Sequence, residues 1–441
     1  MTTPEIEIDA VLALVRERWE PMFPVKDERA QLITWDPPYF VRGLGLVASF
    51  HLFDASTYQG PFAELIVVPL ARLREAAAAL DDLAVTLEAL RSRGVASALG
   101  SPLDATLGLA PARHAEGMFA PDEAAERRRR DALGAMEARF DAVAARTKEV
   151  YGLRLPRYLA TFAAFFRSLD ALERVGMSRL GRSQGGIMLW FEDGGLDRKT
   201  RDGLDARLEC RFRSDPPELV TVAWGDSDGL HYGLWYDDPA DLPTCVAHNY
   251  ARDSAETWRD QEPTPLAVFA ARARERIASP DPGWPVPLPL YAVRDALDWF
   301  AGADRAALAA DPPAKRWLDA PRIPTLGTFG PALPPGAGSI RVGDAEERLK
   351  AWRAQPARVK KWIASAKRDC AEGKPAAALT FGLDLHWLDA DEHRGDALDL
   401  LVMAYEKLGR HAHAETAKIH YAHRDLGSVG VFLSPNEEQG G

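Results

Sequence analysis

Two strand-like segments joined by a glycine-bounded turn place the strongest limit on how this chain folds. The segments ELVTVAW (218–224) and LHYGLWY (230–236) are rich in the β-branched and aromatic residues that favour strands. Between them, residues 225–229 read Gly-Asp-Ser-Asp-Gly, which tolerate positive φ angles and suit a tight turn. The sequence therefore predicts an antiparallel hairpin here.

More strand signals surround this hairpin, and a helix precedes them. The segments IMLWFE (187–192), ARLECRFR (206–213) and TCVAHN (244–249) are predicted as strands, the second because its apolar residues alternate with charged ones. Pro156 suits the first turn of a helix, and the residues after it repeat at helical spacing. Residues 146–277 are therefore predicted to be a helix followed by an antiparallel meander.

The last hundred or so residues have only helical patterns. Helices are predicted over Glu346–Gln355 and over Ala357–Ala371, the second ending near Gly373, and Pro375 can open the next. Residues 344–441 are thus expected to be an all-helical C-terminal part.

The remaining regions are less specific. Residues 1–145 combine predicted helices at 8–19, 70–95 and 122–149 with β-prone runs at 39–53 and 62–69, so an N-terminal α/β region of unknown role is expected. Residues 278–343 form a Pro/Gly-rich connecting region with short helices. The whole chain is predicted to be α+β.

Composition excludes several classes of protein. Its 54 basic and 65 acidic residues give a net charge of −11, which argues against direct nucleic-acid binding, and we read the Arg127–Arg130 run as a solvated helix face. No uncharged apolar run approaches the ~18 residues of a membrane span, and the N-terminus lacks a signal-peptide pattern. The three cysteines form no CxxC motif. We expect a cytoplasmic protein with no membrane partner.

Three local motifs have simpler explanations than a site. Asp226 and Asp228 resemble the start of a calcium loop, but the later ligands are missing, so a hairpin turn is favoured. The C-terminal histidines lack HExxH spacing and are interpreted as a polar helix face. Segments 376–389 and 397–414 resemble one tetratricopeptide helix pair, too few copies for a repeat fold. We predict that the chain itself binds no metal and no cofactor.

Two ordered segments together resemble the histone PARylation factor family. The first begins DPPEL at Asp215 and continues through VTVAWGDSDGLHYGLWYDDPADLPTCVAHNYARDSAE. The second is KKWIASAKRDCAEGKPAAALTFGLDLHW (360–387), followed by DLLVMAYEKLGR. The resemblance covers about 146–425 and leaves the first 145 residues outside it.

This resemblance implies an accessory factor for ADP-ribosylation and not a complete enzyme. Family members dock on the catalytic domain of a poly(ADP-ribose) polymerase and lend it a glutamate, which acts as general base on a serine hydroxyl while NAD serves as the partner's substrate. Counting back without gaps from Gly382 places that glutamate at Glu372. A Tyr-Arg pair of the family falls on Ile340-Arg341, so Arg341 is the second candidate catalytic residue and the tyrosine is replaced.

A second resemblance leaves an alternative function open. The segment VYGLRLPRYLATFAAFF looks like the start of SUKH (Smi1/Knr4) domains, many of which are bacterial immunity proteins that bind toxins. In that case the partner is a toxin protein, and the aromatic residues of the sheet are the expected anchors of the interface. They are Trp190, Trp224, Tyr232, Trp235 and Tyr236.

Overall fold

The computed structural model describes most of the chain after residue 110 and four short segments before it. The described residues are 31–33, 39–41, 44–53, 62–69, 110–280, 286–339 and 343–433. The predicted helices at 8–19 and 70–95 and the Ile340-Arg341 pair lie outside them. Helices together with antiparallel sheets confirm the α+β class.

Contacts between Cα atoms divide the chain into two compact units. Unit 1 comprises Met1–Glu123, Leu169–Leu180 and Arg272–Ala296. Unit 2 comprises Ala124–Ser168, Gly181–Ala271 and Leu297–Gly441.

The described strands form two five-stranded sheets, one in each unit. In unit 1 the order is β1-β3-β4-β5, with β2 paired to β3, and all of these pairs are antiparallel. These strands are β1 (Gln31–Ile33), β2 (Tyr39–Val41), β3 (Gly45–Phe53), β4 (Phe62–Pro69) and β5 (Ala110–Pro111). In unit 2 the order is β10-β9-β8-β7-β6, again antiparallel. Its strands are β6 (Ser183–Gln184), β7 (Leu219–Trp224), β8 (Leu230–Trp235), β9 (Cys245–Tyr250) and β10 (Thr257–Arg259).

The described helices begin with a long one and end with a run of short ones. They are α1 (Glu123–Tyr151), α2 (Tyr158–Ser168), α3 (Ala171–Leu180), α4 (Pro265–Ala278), α5 (Leu288–Ala310), α6 (Lys315–Leu318), α7 (Ala345–Ala354), α8 (Pro356–Ala371), α9 (Ala376–Leu388), α10 (Arg394–Lys407) and α11 (His411–Ala422). In the part of the chain that the structure describes, no helix is both long and apolar enough to cross a membrane.

A buried carboxylate lies within the small core of unit 1. Tyr39, Val41 and Val47 of its sheet pack with Leu288. Glu64 of β4 accepts a hydrogen bond from the Tyr39 hydroxyl and another, at 2.8 Å, from the Leu288 N–H. Burial raises the pKa of Glu64. The two hydrogen bonds offset part of the cost of burying this group.

The sheet of unit 2 is buried on both faces. Leu219, Trp235 and Cys245 lie in register on neighbouring strands and pack together with Phe329. Tyr232 points to the opposite face, as the two-residue period of a strand requires, and its ring lies 5.7 Å from that of Phe269 in α4. Burial on both faces explains why β7 and β8 read as nearly continuous apolar runs.

Two of the predicted strands are wrong. Residues 187–191 belong to a 3₁₀ turn over Gly186–Phe191, and 206–213 contain a 3₁₀ turn over Ala206–Leu208 followed by loop. The Asp205 side chain starts the second turn by accepting a bond from the Arg207 N–H at 2.9 Å. Leu208, Cys210 and Phe212 are buried, but Glu209 and Arg211 between them are buried too, so the alternation does not mark one buried and one solvated face.

The C-terminal helices follow the predicted boundaries closely. The helix predicted over Glu346–Gln355 is α7, and the one predicted over Ala357–Ala371 is α8. Their buried residues pack with those of α9, α10 and α11 in one apolar cluster, in which the Trp352 and Trp362 rings lie 5.4 Å apart. This cluster is the core of the helical part.

Replacing Asp344 with alanine is expected to lower the free energy of unfolding by about 1 kcal/mol, because its side chain caps α7. Asp344 Oδ1 accepts a hydrogen bond from the Glu347 N–H at 2.8 Å and so satisfies a backbone donor that has no partner within the helix. Urea denaturation followed by circular dichroism measures the change. Asp344→Asn is the control, since asparagine caps equally well, and an equal loss in both variants would contradict the capping role.

Candidate functional site

Glu372 stands at the C-terminal end of α8, as predicted. Its backbone φ and ψ are −73° and 0°, and its N–H donates to the Arg368 carbonyl at 3.0 Å. Gly373 follows with φ +92°, a conformation that glycine adopts without steric cost, and its N–H donates to the Cys370 carbonyl. Gly373 therefore ends α8 and leaves Glu372 at the turn between α8 and α9, which we call the corner.

The Glu372 side chain is accessible. It is 65% exposed and lies 3.3 Å from the ammonium of Lys374, which is itself 56% exposed. Ion pairs between exposed side chains are weak and exchange readily with water or with another partner. The carboxylate is thus available to accept a proton from a group brought to this corner.

Two other segments lie next to this corner. Lys407, at the end of α10, donates to the Ala371 carbonyl at 3.3 Å. The loop before residue 340 passes beside Lys374, because a Cβ atom built on Gly338 would lie 2.9 Å from Lys374 Cβ. The Ala337 carbonyl also accepts a bond from the Ala376 N–H at 3.0 Å. Arg341 itself lies outside the described residues.

The DPPE motif forms a buried junction between the sheet and the C-terminal helices. Asp215 is 2% exposed; its carboxylate lies 3.1 Å from His231 Nε2, and its carbonyl accepts a bond from His386 Nε2 at 2.9 Å. Glu218 is fully buried, and the Tyr405 hydroxyl of α10 donates to its Oε1 at 2.8 Å. Burial raises the pKa of Glu218 to about 7. The motif holds the helices against the sheet and presents no accessible carboxylate.

The GLDL motif is a second buried junction. Asp384, on α9, is fully buried and accepts a bond from Arg348 Nε at 2.6 Å, while its Oδ1 accepts the Leu326 N–H at 2.8 Å. Arg348 also donates to the Pro324 carbonyl at 2.8 Å. Asp384 therefore fixes both α7 and part of the Pro/Gly-rich region to α9.

A third buried junction, between Asp237 and Arg322, was not predicted from the sequence. Asp237, just after β8, is fully buried and pairs with both terminal nitrogens of Arg322 at 2.9 Å. It also accepts the Ala332 N–H at 2.7 Å and the Thr244 hydroxyl at 2.7 Å. Burial alone would raise the pKa of Asp237, but Arg322 holds it below its usual value. The sequence signal for this junction was an aspartate shortly after a buried strand, in the run WYDDP.

The prediction that the C-terminal histidines form a polar helix face is wrong for His413 and His420, which lie in the interior. His413 donates to the Tyr236 carbonyl at 2.9 Å, and burial lowers its pKa to about 3. His386 and His420 are also buried, and burial holds the pKa of each well below its usual value. Across 110–280, 286–339 and the other described ranges, no group of three or more His, Cys, Asp or Glu side chains could hold a metal ion.

Of the five aromatic residues expected to anchor a toxin interface, four are core residues. Trp190, Tyr232, Trp235 and Tyr236 are at most 1% exposed, and only Trp224 is partly accessible. Four of the five expected anchors of a toxin interface are therefore not available on the surface of the folded chain.

Comparison with known proteins identifies a similar family. Residues 154–259 match the family model described as histone PARylation factor 1. This segment runs from just before α2 to the end of β10 and contains the whole sheet of unit 2 and the DPPE motif, whereas Glu372 and α7–α11 lie beyond it. No curated protein matches the chain. The chain is thus similar to histone PARylation factor 1 in the segment that carries the first half of the predicted resemblance.

Proposed function

We propose that this protein is an accessory factor for protein ADP-ribosylation. It binds the catalytic domain of an ADP-ribosyltransferase and completes the active site of that enzyme with Glu372. The observation that carries the proposal is the match of residues 154–259 to histone PARylation factor 1. The position of Glu372 adds to it, because a carboxylate that serves a partner's active site has to stand on the surface.

Glu372 has the properties that such a role requires. Its side chain is mostly exposed, its hydrogen-bonded neighbour Lys374 is also exposed, and its backbone is fixed by the helix end. The base is therefore positioned by a rigid element and yet free to meet an incoming hydroxyl, which favours proton transfer.

The proposed chemistry divides the work between two proteins. The transferase binds NAD, and Glu372 accepts the proton of a serine hydroxyl from the target protein. The serine oxygen then bonds to the anomeric carbon of the ADP-ribose unit, while the bond from that carbon to the nicotinamide nitrogen breaks and nicotinamide leaves. Arg341 assists by pairing with a phosphate or with a carboxylate, for which a guanidinium is well suited.

The test is a reconstituted reaction with an ADP-ribosyltransferase catalytic domain from the same organism, NAD and a serine-containing substrate. Glu372→Gln is expected to reduce serine-linked ADP-ribose at least about tenfold, because glutamine cannot accept the proton. The product is measured by mass spectrometry with site assignment. Binding to the transferase is expected to be unchanged, since the substitution keeps the size of the side chain.

Glu406→Gln is the matched control. Glu406 is an exposed glutamate on α10 whose ion pair with Lys418, at 3.3 Å, resembles that of Glu372 with Lys374. This variant is expected to support the reaction at the wild-type rate. Serine-linked product that is unchanged in site and amount with Glu372→Gln would refute the proposed role of the glutamate.

The alternative hypothesis, a SUKH-like protein that binds a toxin, receives no support from its five expected aromatic anchors, because four of them are buried.

A further inference from the structure

The helix that ends at Glu372 carries an unusual charge for this protein. The chain has a net charge of −11, whereas α8 contains five basic residues and one acidic residue among its 16. Two of the five, Arg358 and Lys367, form ion pairs with glutamate or aspartate side chains. The other three are Lys360, Lys361 and Arg368.

These three cations, which we call the basic stripe, lie along one exposed face of α8. At 100° per residue they fall within about 100° of the helix circumference, and they span about 12 Å of its length. All three side chains are exposed, while the opposite face, including Val359, is buried. Arg368, the last residue of the stripe, lies about one helical turn before Glu372.

In the described part of the chain, the cations of the basic stripe are not neutralised by ion pairs. Among the residues that the structure describes, Lys360, Lys361 and Arg368 make no ion pair, whereas Lys350 on α7 and Lys418 on α11 do. The exposed residues between them are Ala357, Ala364 and Ala371, which leave the face flat. A flat, positively charged and unpaired helix face suits close approach by another surface of opposite charge.

We propose that the basic stripe docks on an acidic surface of the protein partner whose active site Glu372 completes. This rests on the proposed function and adds the chemistry of the partner's surface. Nucleic acid fits less well, because the acidic chain as a whole repels a polyanion and the stripe supplies only three cations. A protein surface needs only a local match of charge and can also pack against the three alanines.

The first test uses a fluorescein-labelled decaglutamate peptide and the full chain at low ionic strength, with binding measured by fluorescence anisotropy. The variant K360E/K361E/R368E is expected to bind the peptide at least about tenfold more weakly than the wild type, because attraction becomes repulsion. The control R130E/K148E/K418E changes the net charge by the same amount. Its three cations are also exposed, but each donates a hydrogen bond to a nearby residue. It is expected to stay within about twofold of the wild type, and an equal loss in both variants overturns the proposal.

A single-stranded oligonucleotide with the same net charge as the decaglutamate peptide tests whether the basic stripe binds nucleic acid instead. It is expected to bind more weakly than the peptide and to be affected equally by the two triple variants. Tighter binding of the oligonucleotide, lost only in the stripe variant, would overturn the proposal in favour of nucleic acid.

A final measurement separates this inference from the proposed function. Association with the transferase catalytic domain is measured at several salt concentrations by surface plasmon resonance. The stripe variant is expected to associate at least about tenfold more slowly and with a weaker salt dependence, whereas Glu372→Gln associates like the wild type. A wild-type association rate in the stripe variant overturns the docking proposal and leaves the role of Glu372 standing. If Glu372→Gln loses the serine-linked product while the stripe variant forms it like the wild type, the docking proposal is likewise overturned and the role of Glu372 stands.

Discussion

Replacing Asp384 with alanine is expected to reduce the free energy of unfolding by about 3–5 kcal/mol, the cost of breaking one side of a buried ion pair. Asp384 is fully buried and Arg348 is 1% exposed at its side chain, with 2.6 Å between the paired atoms. Removal of the carboxylate leaves the guanidinium uncompensated in the interior. It also leaves the Leu326 N–H without its acceptor, which adds to the loss.

Urea denaturation of both the variant and the wild type measures this effect. Asp399→Ala is the control, because Asp399 lies on the neighbouring helix α10 and pairs with Lys367 at 3.0 Å but is 63% exposed. Its loss is expected to be within about 0.5 kcal/mol. Similar losses for the two variants would show that the buried pair contributes no more than a surface pair.

Hydrogen exchange gives a second measurement of the same junction. The Leu326 amide is bonded to Asp384 and is expected to be protected in the wild type and to exchange faster in Asp384→Ala. Faster exchange confined to the segment around Leu326 would connect the stability loss to the release of the Pro/Gly-rich region from α9.

Much of the fold of unit 2 could be predicted from periodicity and from residues that end elements. The turn at 225–229 joins β7 to β8, and Gly373 ends α8, as the sequence indicated. The apolar run at 187–192 was wrongly assigned to a strand, because a short run of buried residues fits a strand and a 3₁₀ turn equally well. Only tertiary contacts decide between the two.

The position of the candidate site residue Glu372 could also be predicted from residues that end elements. Gly373 places Glu372 at a helix end, and a helix end on the protein surface can be read from local sequence. The burial of Glu218 could not be read in this way, because its partner Tyr405 lies 187 positions further along the chain. The DPPE and GLDL motifs thus turned out to be structural junctions, whereas the exposed carboxylate of Glu372 lies within the second segment of the resemblance but outside both motifs.

The stability contribution of Glu218 is expected to fall as the pH rises from about 4.5 to about 7. Burial raises the pKa of Glu218 from 4.5 to about 7, so the folded state holds a proton in this interval that the unfolded state has released. The contribution is therefore fully present below the unfolded pKa and is lost as the pH passes through the folded pKa. Two to three pKa units correspond to about 3 kcal/mol.

Glu218→Gln isolates this contribution from those of other groups. Glutamine resembles the protonated acid in shape and does not titrate, so the variant lacks the pH-dependent loss at this position. The wild-type curve alone is insufficient, because His413, whose pKa burial lowers to about 3, contributes in the opposite direction between about pH 3 and pH 6.5. The difference between wild type and variant removes the His413 contribution, provided that the substitution leaves it unchanged.

The measurement is the free energy of unfolding in urea at several values between about pH 4 and about pH 8. Relative to the wild type, Glu218→Gln is expected to gain about 3 kcal/mol across this range, because the wild type must bury an anion beside Tyr405 at high pH. Glu415→Gln, at an exposed glutamate of α11, is the control and is expected to give a nearly constant difference. The positive charge of Arg410 and the hydrogen bond from Tyr405 both favour the ionised form of Glu218. A constant difference for Glu218→Gln as well would mean that they stabilise the carboxylate as well as water does, and that the junction between sheet and helices is insensitive to pH.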